Sequence, residues 1–227
     1  MSKTVFYQPS SGYRYNSDTL FLWDFISKSR VSGNVLDVGS GSGVLGVLLK
    51  RDFPKTELHS AEKQEIFQEL TKRNSEINGV ENRVFSGDFT EIDFGIQFDL
   101  IVSNPPFYNP AVIQSKDTVL NTARYSQHLP IDKFFKKVAR ILKERGRFIF
   151  CYDVKEFVNL GIELEKNRLK IERIRFVYPK EEKNSSLIMI ETRKGSKSAL
   201  KVEPPLINFS DEVEEIYKKA NTYTLNF

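Results

Sequence analysis

The chain is poor in sulfur and imidazole: one cysteine, Cys151, and two histidines, His59 and His128, in 227 residues. A single thiol forms no internal disulfide, so the sequence is not a disulfide-stapled scaffold. Cys151 sits inside an apolar run and reads as a core filler suited to a reducing cytoplasm. The histidines are far apart and have no cysteine partners, so no metal site is expected. No apolar run is long enough to span a bilayer, and the sequence reads as lacking a signal peptide. Internal repeats and low-complexity stretches are also missing. Charge of one sign is scarce as well: 34 Lys and Arg face 30 Asp and Glu, giving a formal net charge of +4. That small basic excess leans toward an acidic partner such as nucleic acid.

What the chain does have is apolar and aromatic. Hydrophobic residues make up 40%, with eighteen Phe and nine Tyr, enough for a full core or an aromatic binding face. Strand-like runs at 34–38, 56–61, 83–85, 98–102 and 147–152 alternate with helical patterns at 44–51, 63–78, 130–146 and 154–166. An earlier helix, 20–29, takes Ser17 or Asp18 as its cap. In the helix 63–78, Ile66, Phe67, Leu70 and Ile77 form one apolar face. The helix from Pro130 is read as stopping at Gly146. Two further strands, 171–178 and 187–192, are joined by a short polar link and are expected to pair antiparallel. Regular alternation implies an α/β fold: a mostly parallel seven-stranded sheet with one antiparallel strand and helices on both faces. A single domain is expected. It comprises an N-terminal cap segment and helix (1–30), a Rossmann-like core (31–193), and a basic tail with a C-terminal helix (194–227).

Candidate site residues fall at the carboxyl ends of the strands, where ligands bind in such folds. The first strand runs into Gly39-Ser40-Gly41-Ser42-Gly43, and Gly41 to Gly46 matches G-x-G-x-x-G, with Glu62 about twenty residues on. Glycines permit a tight turn and close backbone approach to a ligand, and Glu62 offers acceptors for two ribose hydroxyls. A nicotinamide dinucleotide and S-adenosylmethionine both satisfy this much. Asp37 at the strand end favours the second, since an acid repels a pyrophosphate and tolerates a cationic amino acid moiety. Asp88, after Gly87, is placed to accept from an adenine amine.

The fourth strand ends in Ser103-Asn104-Pro105-Pro106-Phe107. Two prolines stiffen the loop and remove two backbone donors, and Asn104, preceding a proline, is held extended. The Asn104 oxygen and the Pro105 carbonyl remain as acceptors beside the flat face of Phe107. That set suits a planar ring bearing an exocyclic NH2. The segment 108–129 that follows is long for a loop, which points to function or mobility.

These motifs resemble a known family. The segment 35–43 looks like the first motif of class I S-adenosylmethionine-dependent methyltransferases, and Asn104-Pro105-Pro106-Phe107 resembles their amino-methylating motif. The opening 12–22 and Ala123-Arg124-Tyr125 are similar to a narrower group that methylates the adenine 3′ of the anticodon in valine tRNA. One departure is Ser60-Ala61-Glu62-Lys63, where an aliphatic residue usually precedes the acid. The resemblance implies Asn104, Pro105, Pro106 and Phe107 as catalytic. It implies Asp37, Gly39, Ser40, Gly41, Gly43, Glu62, Asp88 and Asn104 as binding S-adenosyl-L-methionine, with tRNA as the expected partner and no metal. Alternatives are the same chemistry on ribosomal RNA guanine, DNA adenine or a protein glutamine, or a non-catalytic RNA-binding subunit that keeps the cofactor pocket. Tyr13, Arg14 and Tyr15 are candidates to close over the cofactor or touch RNA. The basic run Arg193, Lys194, Lys197, Lys201 is the candidate phosphate-tracking patch.

Overall fold

Short apolar runs become the central strands of one sheet because helices cover both of its faces. The computed structural model of the protein describes residues 3–105 and 130–227. In chain order it contains β1 (Thr4–Gln8), α1 (Ser17–Ser27), β2 (Asn34–Val38), α2 (Val44–Asp52), β3 (Glu57–Glu62), α3 (Glu65–Ile77), β4 (Asn82–Ser86) and β5 (Phe98–Ser103). Then come α4 (Ile131–Ile141), β6 (Leu142–Asp153), α5 (Phe157–Lys166), β7 (Leu169–Tyr178) and β8 (Leu187–Lys194). The last elements are the short β9 (Lys201–Val202) and β10 (Leu206–Ile207), then α6 (Asp211–Ala220) and β11 (Thr222–Asn226).

The strand order is β10-β7-β8-β6-β5-β2-β3-β4, with β9 also on β7. Among the described residues, only β8 runs antiparallel to its neighbours, β6 and β7. Seven full strands with one antiparallel member are the sheet expected from the sequence; β9 and β10 extend its edge.

Helices α1, α2 and α6 bury Leu22, Phe25, Val47, Leu48 and Ile216 on one face. Helices α4 and α5 bury Phe134, Phe135, Val138, Leu160 and Leu164 on the other. The period-two geometry of β6 divides its residues between these cores. Phe148 and Phe150 join the α4 side, whereas Ile149 and Cys151 join the α1 side. The rings of Phe148 and Phe150 stack at 4.5 Å. Much of the aromatic weight of the composition thus goes into the core, where each buried Phe contributes about 1.5–3 kcal/mol.

Three expectations about these elements are corrected. Helix α4 ends at Ile141 and β6 begins at once. Leu142 pairs with Phe98 and Arg147 with Leu100, so residues 143–146 form a bulge. Gly146 marks that bulge and not a helix stop: a Cβ there would lie 2.8 Å from the Lys143 carbonyl oxygen. In α3, Ile66 and Ile77 are 38% and 46% exposed. The inward face carries Phe67, Leu70, Thr71 and Asn74 instead, because two of these residues make hydrogen bonds inward. The cap of α1 is Asn16, which accepts the Asp18 N–H at 3.2 Å.

The basic run is largely neutralised. Arg193 and Lys194 belong to β8 and pair with Glu172 (2.8 Å) and Glu144 (3.0 Å), and Lys201 lies 3.5 Å from Glu203. Lys197 alone of the four has no ion pair among the described residues.

The N-terminal segment holds a strand that its polar and aromatic composition did not announce. β1 pairs in parallel with β11, from Thr4 opposite Thr222 to Gln8 opposite Asn226, as a separate two-stranded ribbon. Two asparagines of the α3 end hold it: Asn74 accepts the Tyr7 N–H at 2.7 Å and Asn78 accepts the Val5 N–H at 3.0 Å.

Candidate active site

β2 and β5 are adjacent and parallel, and Val38 pairs with Ser103. The residues that follow, Gly39 and Asn104, therefore leave the sheet side by side. The Ser103 hydroxyl donates to the Val38 carbonyl at 2.8 Å and ties the two strand ends together. Between them lies a narrow cleft. Its walls include Asp37, Gly39, Ser40, Gly41 and Asn104, which the sequence singled out, together with Tyr13, Tyr15 and Thr19.

The loop after β2 is pinned by its neighbours. Gly39 and Ser40 donate to the Ala61 carbonyl, at 2.8 and 3.3 Å. Gly39 has a φ of +67°, a left-handed conformation that favours glycine, and a Cβ there would meet nothing within 4 Å. The backbone is thus bare toward open space. Gly46 is required for a different reason, since a Cβ would lie 3.2 Å from both Asp37 Oδ2 and Leu58. Gly43 caps α2 and packs on Thr71, away from the cleft wall.

Asp37 is buried and accepts the Gly46 N–H at 3.0 Å. Burial pushes its carboxyl up to about 7, against the Gly46 hydrogen bond and with help from the charge of Glu62. An acid so short of compensation suits a cation brought into the cleft.

Glu62 stands behind the loop. Its Oε2 accepts the Gly41 N–H at 2.9 Å, and Oε1 accepts those of Lys63 (2.8 Å) and Gln64 (2.9 Å). Burial nevertheless holds its carboxyl above the ordinary value. A carboxylate has about four acceptor positions, so one position, on Oε2, remains. Two ribose hydroxyls, as read from the sequence, would share Glu62 with these backbone donors.

Asp88 lies at the end of β4 and is not part of the cleft wall. Its Oδ1 accepts from the Thr90 hydroxyl (2.7 Å) and N–H, and its Oδ2 pairs with Lys63 at 3.0 Å. Burial raises this carboxyl, but Thr90 and Lys63 outweigh it and hold Asp88 below the ordinary range.

Asn104 is half-buried and held at both ends of its amide. Nδ2 donates to Thr19 Oγ1 at 3.1 Å, and Oδ1 accepts from the Cys151 thiol at 3.0 Å. Burial pushes that thiol well above its ordinary value, so it stays protonated and remains a donor. Pro105 is buried beside Asn104. Pro106, Phe107 and Ala123-Arg124-Tyr125 lie outside the described residues.

Sequence reasoning missed several members. Gln8 of β1 is fully buried and donates to the Ser42 hydroxyl, while Asn74 donates to the Ser42 carbonyl at 2.8 Å. Thr71 donates to the Gly41 carbonyl at 2.7 Å. Of the aromatic opening, Tyr13 and Tyr15 reach the cleft, whereas Arg14 turns to Asn226 at 3.2 Å. Among the described residues no cluster of His, Cys, Asp and Glu could hold a metal, and no helix is long and apolar enough to cross a membrane.

Comparison with known proteins places this geometry. A tRNA1(Val) (adenine(37)-N6)-methyltransferase of Porphyromonas gingivalis is 27% identical over 165 residues, 70% of this chain and 64% of that protein. Ribosomal RNA small subunit methyltransferase C of Actinobacillus pleuropneumoniae is 38% identical over 91 residues, 40% of this chain and 27% of that protein. The chain thus spans less than two thirds of the length of either relative. Among solved structures, a predicted O-methyltransferase of Agrobacterium tumefaciens superposes with a TM-score of 0.68. That match covers 92% of this chain and all of that one, and at 16% identity it is a likeness of fold. The fold is accordingly the Rossmann-like class I methyltransferase fold. Residues 11–156, more than half of the chain, match the methyltransferase small domain, and the protein belongs to that family.

Proposed function

We propose that the chain is an S-adenosylmethionine-dependent N-methyltransferase acting on the exocyclic amine of a nucleobase, namely adenine N6 of a tRNA beside the anticodon. The register of β2 and β5 carries this reading, because it sets a bare glycine backbone next to Asn104 in one cleft, and Pro105 is the next residue along the chain. The residues fit the cofactor. Asp37 offers a buried acid to its ammonium, and Gly39, Ser40 and Gly41 offer close backbone. Glu62 offers one acceptor to a ribose hydroxyl, while Asp88, outside the cleft wall, is assigned the adenine amine by the sequence motif alone. Gly43 acts from behind, by setting the turn into α2. When bound, S-adenosylmethionine supplies an electrophilic methyl group.

The protein's own part lies in preparing the acceptor. An aromatic amine delocalises its lone pair into the ring. The Asn104 oxygen and the Pro105 carbonyl each accept one of its N–H groups, which favours a pyramidal nitrogen and fixes its direction. Acceptors placed beforehand also stabilise positive charge as it grows on that nitrogen. The resulting ammonium is acidic and gives up its proton to solvent without a strong base. Pro106 and Phe107 enter this reading through the sequence motif alone, Phe107 as the ring proposed to stack on the base. Extruding a stacked nucleotide to reach this cleft costs a few kcal/mol.

The test is transfer of labelled methyl to unmodified valine tRNA by wild type and Asn104→Ala. The variant should lose about a hundredfold or more in rate while keeping its affinity for S-adenosylhomocysteine. Near-wild-type transfer would return the Asn-Pro-Pro-Phe stretch to the status of a turn. A second reading, an amine of small-subunit ribosomal RNA, draws on the 38% identity to methyltransferase C. Running the same assay on ribosomal RNA separates the two.

A further inference from the structure

We propose that Thr19 and Cys151 are positioning residues that clamp the Asn104 carboxamide from two elements and leave one lone pair of its oxygen for the acceptor. The proposal rests on the reading of Asn104 given above and extends it to two residues.

An asparagine amide has two N–H donors and two acceptor lone pairs. Here Thr19 Oγ1 takes one N–H at 3.1 Å and the Cys151 thiol takes one lone pair at 3.0 Å. One lone pair and one N–H remain. The terminal torsion of asparagine is broad and nearly two-fold, so an unsupported amide samples many orientations. A reacting group has to be held within about 0.5 Å and 10–20°. One contact allows the amide plane to swing; two contacts from different elements fix it. Thr19 belongs to the first turn of α1 and Cys151 to β6, and both side chains lie on the same side of the sheet.

Cysteine at this position has a chemical logic. A thiol is a donor, and here it orients Oδ1 from within an apolar core. Its neighbours Ile149 and Met189 in the same core are apolar, and packing alone would be served by an alanine or valine. A hydrogen-bonding thiol aimed at the one side-chain amide that lines the cleft among the described residues is what packing does not require.

The single cysteine makes the test direct, because the only S–H stretch in the Raman spectrum belongs to Cys151. In the wild type that band should lie below the frequency of a free thiol, and it should move up in Asn104→Ala. A band that does not move overturns the contact. In transfer assays Thr19→Val and Cys151→Ala should each lower kcat by about tenfold to a hundredfold, with KM and S-adenosylhomocysteine affinity little changed. Thr19→Ser and Cys151→Ser should restore most of the loss, and retained cofactor-analogue binding shows that each variant is folded. Wild-type kcat in Thr19→Val and Cys151→Ala would overturn the positioning role even if the band moved. If the wild type transfers no methyl to tRNA or ribosomal RNA, the proposed function fails, while the band still decides whether Asn104 is clamped.

Discussion

Replacing Asp37 by Asn removes a buried carboxyl whose charge the fold resists. Burial holds that carboxyl at about 7, against an ordinary value of 3.8. Between those two values the folded chain keeps a proton that the unfolded chain has released. Stability therefore falls as pH rises from about 4 to about 7, and the slope ends once both states are ionised. Each pH unit well inside the window removes about 1.4 kcal/mol. From pH 5 to pH 8 this one group accounts for a loss on the order of 2–3 kcal/mol. Asp37→Asn has no such group. Urea unfolding of both proteins at pH 5, 6, 7 and 8, extrapolated to water, should show the variant gaining on the wild type by that amount as pH rises. Comparing the two curves cancels the titration of residues that do not interact with Asp37. Saturating S-adenosylhomocysteine should flatten the wild-type slope, since its ammonium favours the ionised acid, and should do little for the variant. A gap between the two proteins that is the same at pH 5 and pH 8 refutes the reasoning: Asp37 would then ionise in the fold as it does in water.

Other expectations follow from neighbouring features. Glu62→Ala strands the N–H groups of Gly41, Lys63 and Gln64, so calorimetry should show S-adenosylhomocysteine binding weakened by about tenfold or more; unchanged affinity would mean that the loop holds its shape unaided. His59 is buried with neither ring nitrogen hydrogen-bonded, and burial lowers its pKa. His59→Leu should therefore stabilise the protein by about 1–3 kcal/mol in a urea titration, and a destabilised variant would show that the ring's packing outweighs its polarity. Neutralising Arg193, Lys194, Lys197 and Lys201 together should change the salt slope of tRNA binding by about one and not by about four, because three of them face carboxylates. Anisotropy titrations across a salt series decide between these values.

The core strands were legible because their apolar runs are short and bounded by Gly, Pro or acidic residues. The loop after β2 was legible because its glycines serve needs visible in sequence, a left-handed turn at Gly39 and close packing at Gly46. Asn104 was legible from the two prolines that follow it. What surrounds Asn104 was not: Thr19 looks like any helix-start residue and Cys151 like any core filler, and only the tertiary fold brings them to the same amide. Lone-pair occupancy was equally hidden. The sequence marks Glu62 as an acceptor but says nothing of the three backbone donors that already use it. Inward-facing polar residues defeated the periodicity of α3, where Thr71 and Asn74 occupy positions that an apolar pattern assigns to Ile66 and Ile77. The paired carboxylates of the basic run were missed for a similar reason, since Glu172 and Glu144 are distant in sequence from the cations they meet.

The ribbon of β1 and β11 bears on the order of events in synthesis. Thr4 is made early, and its partner Thr222 only after the whole sheet has been translated. Closing so long a loop from an open chain is entropically costly, by several kcal/mol. Once the sheet has formed, its two ends are already close and the cost is mostly gone. The ribbon is thus the last pairing expected to form, and Gln8, which reaches Ser42 of the glycine loop, gains Asn226 and Phe227 alongside it only at that stage. A nascent chain halted before Thr222 would have its sheet, its Asn104 and a glycine loop held by Glu62, Thr71 and Asn74, so β11 adds the outermost layer behind that loop after the fold that displays it.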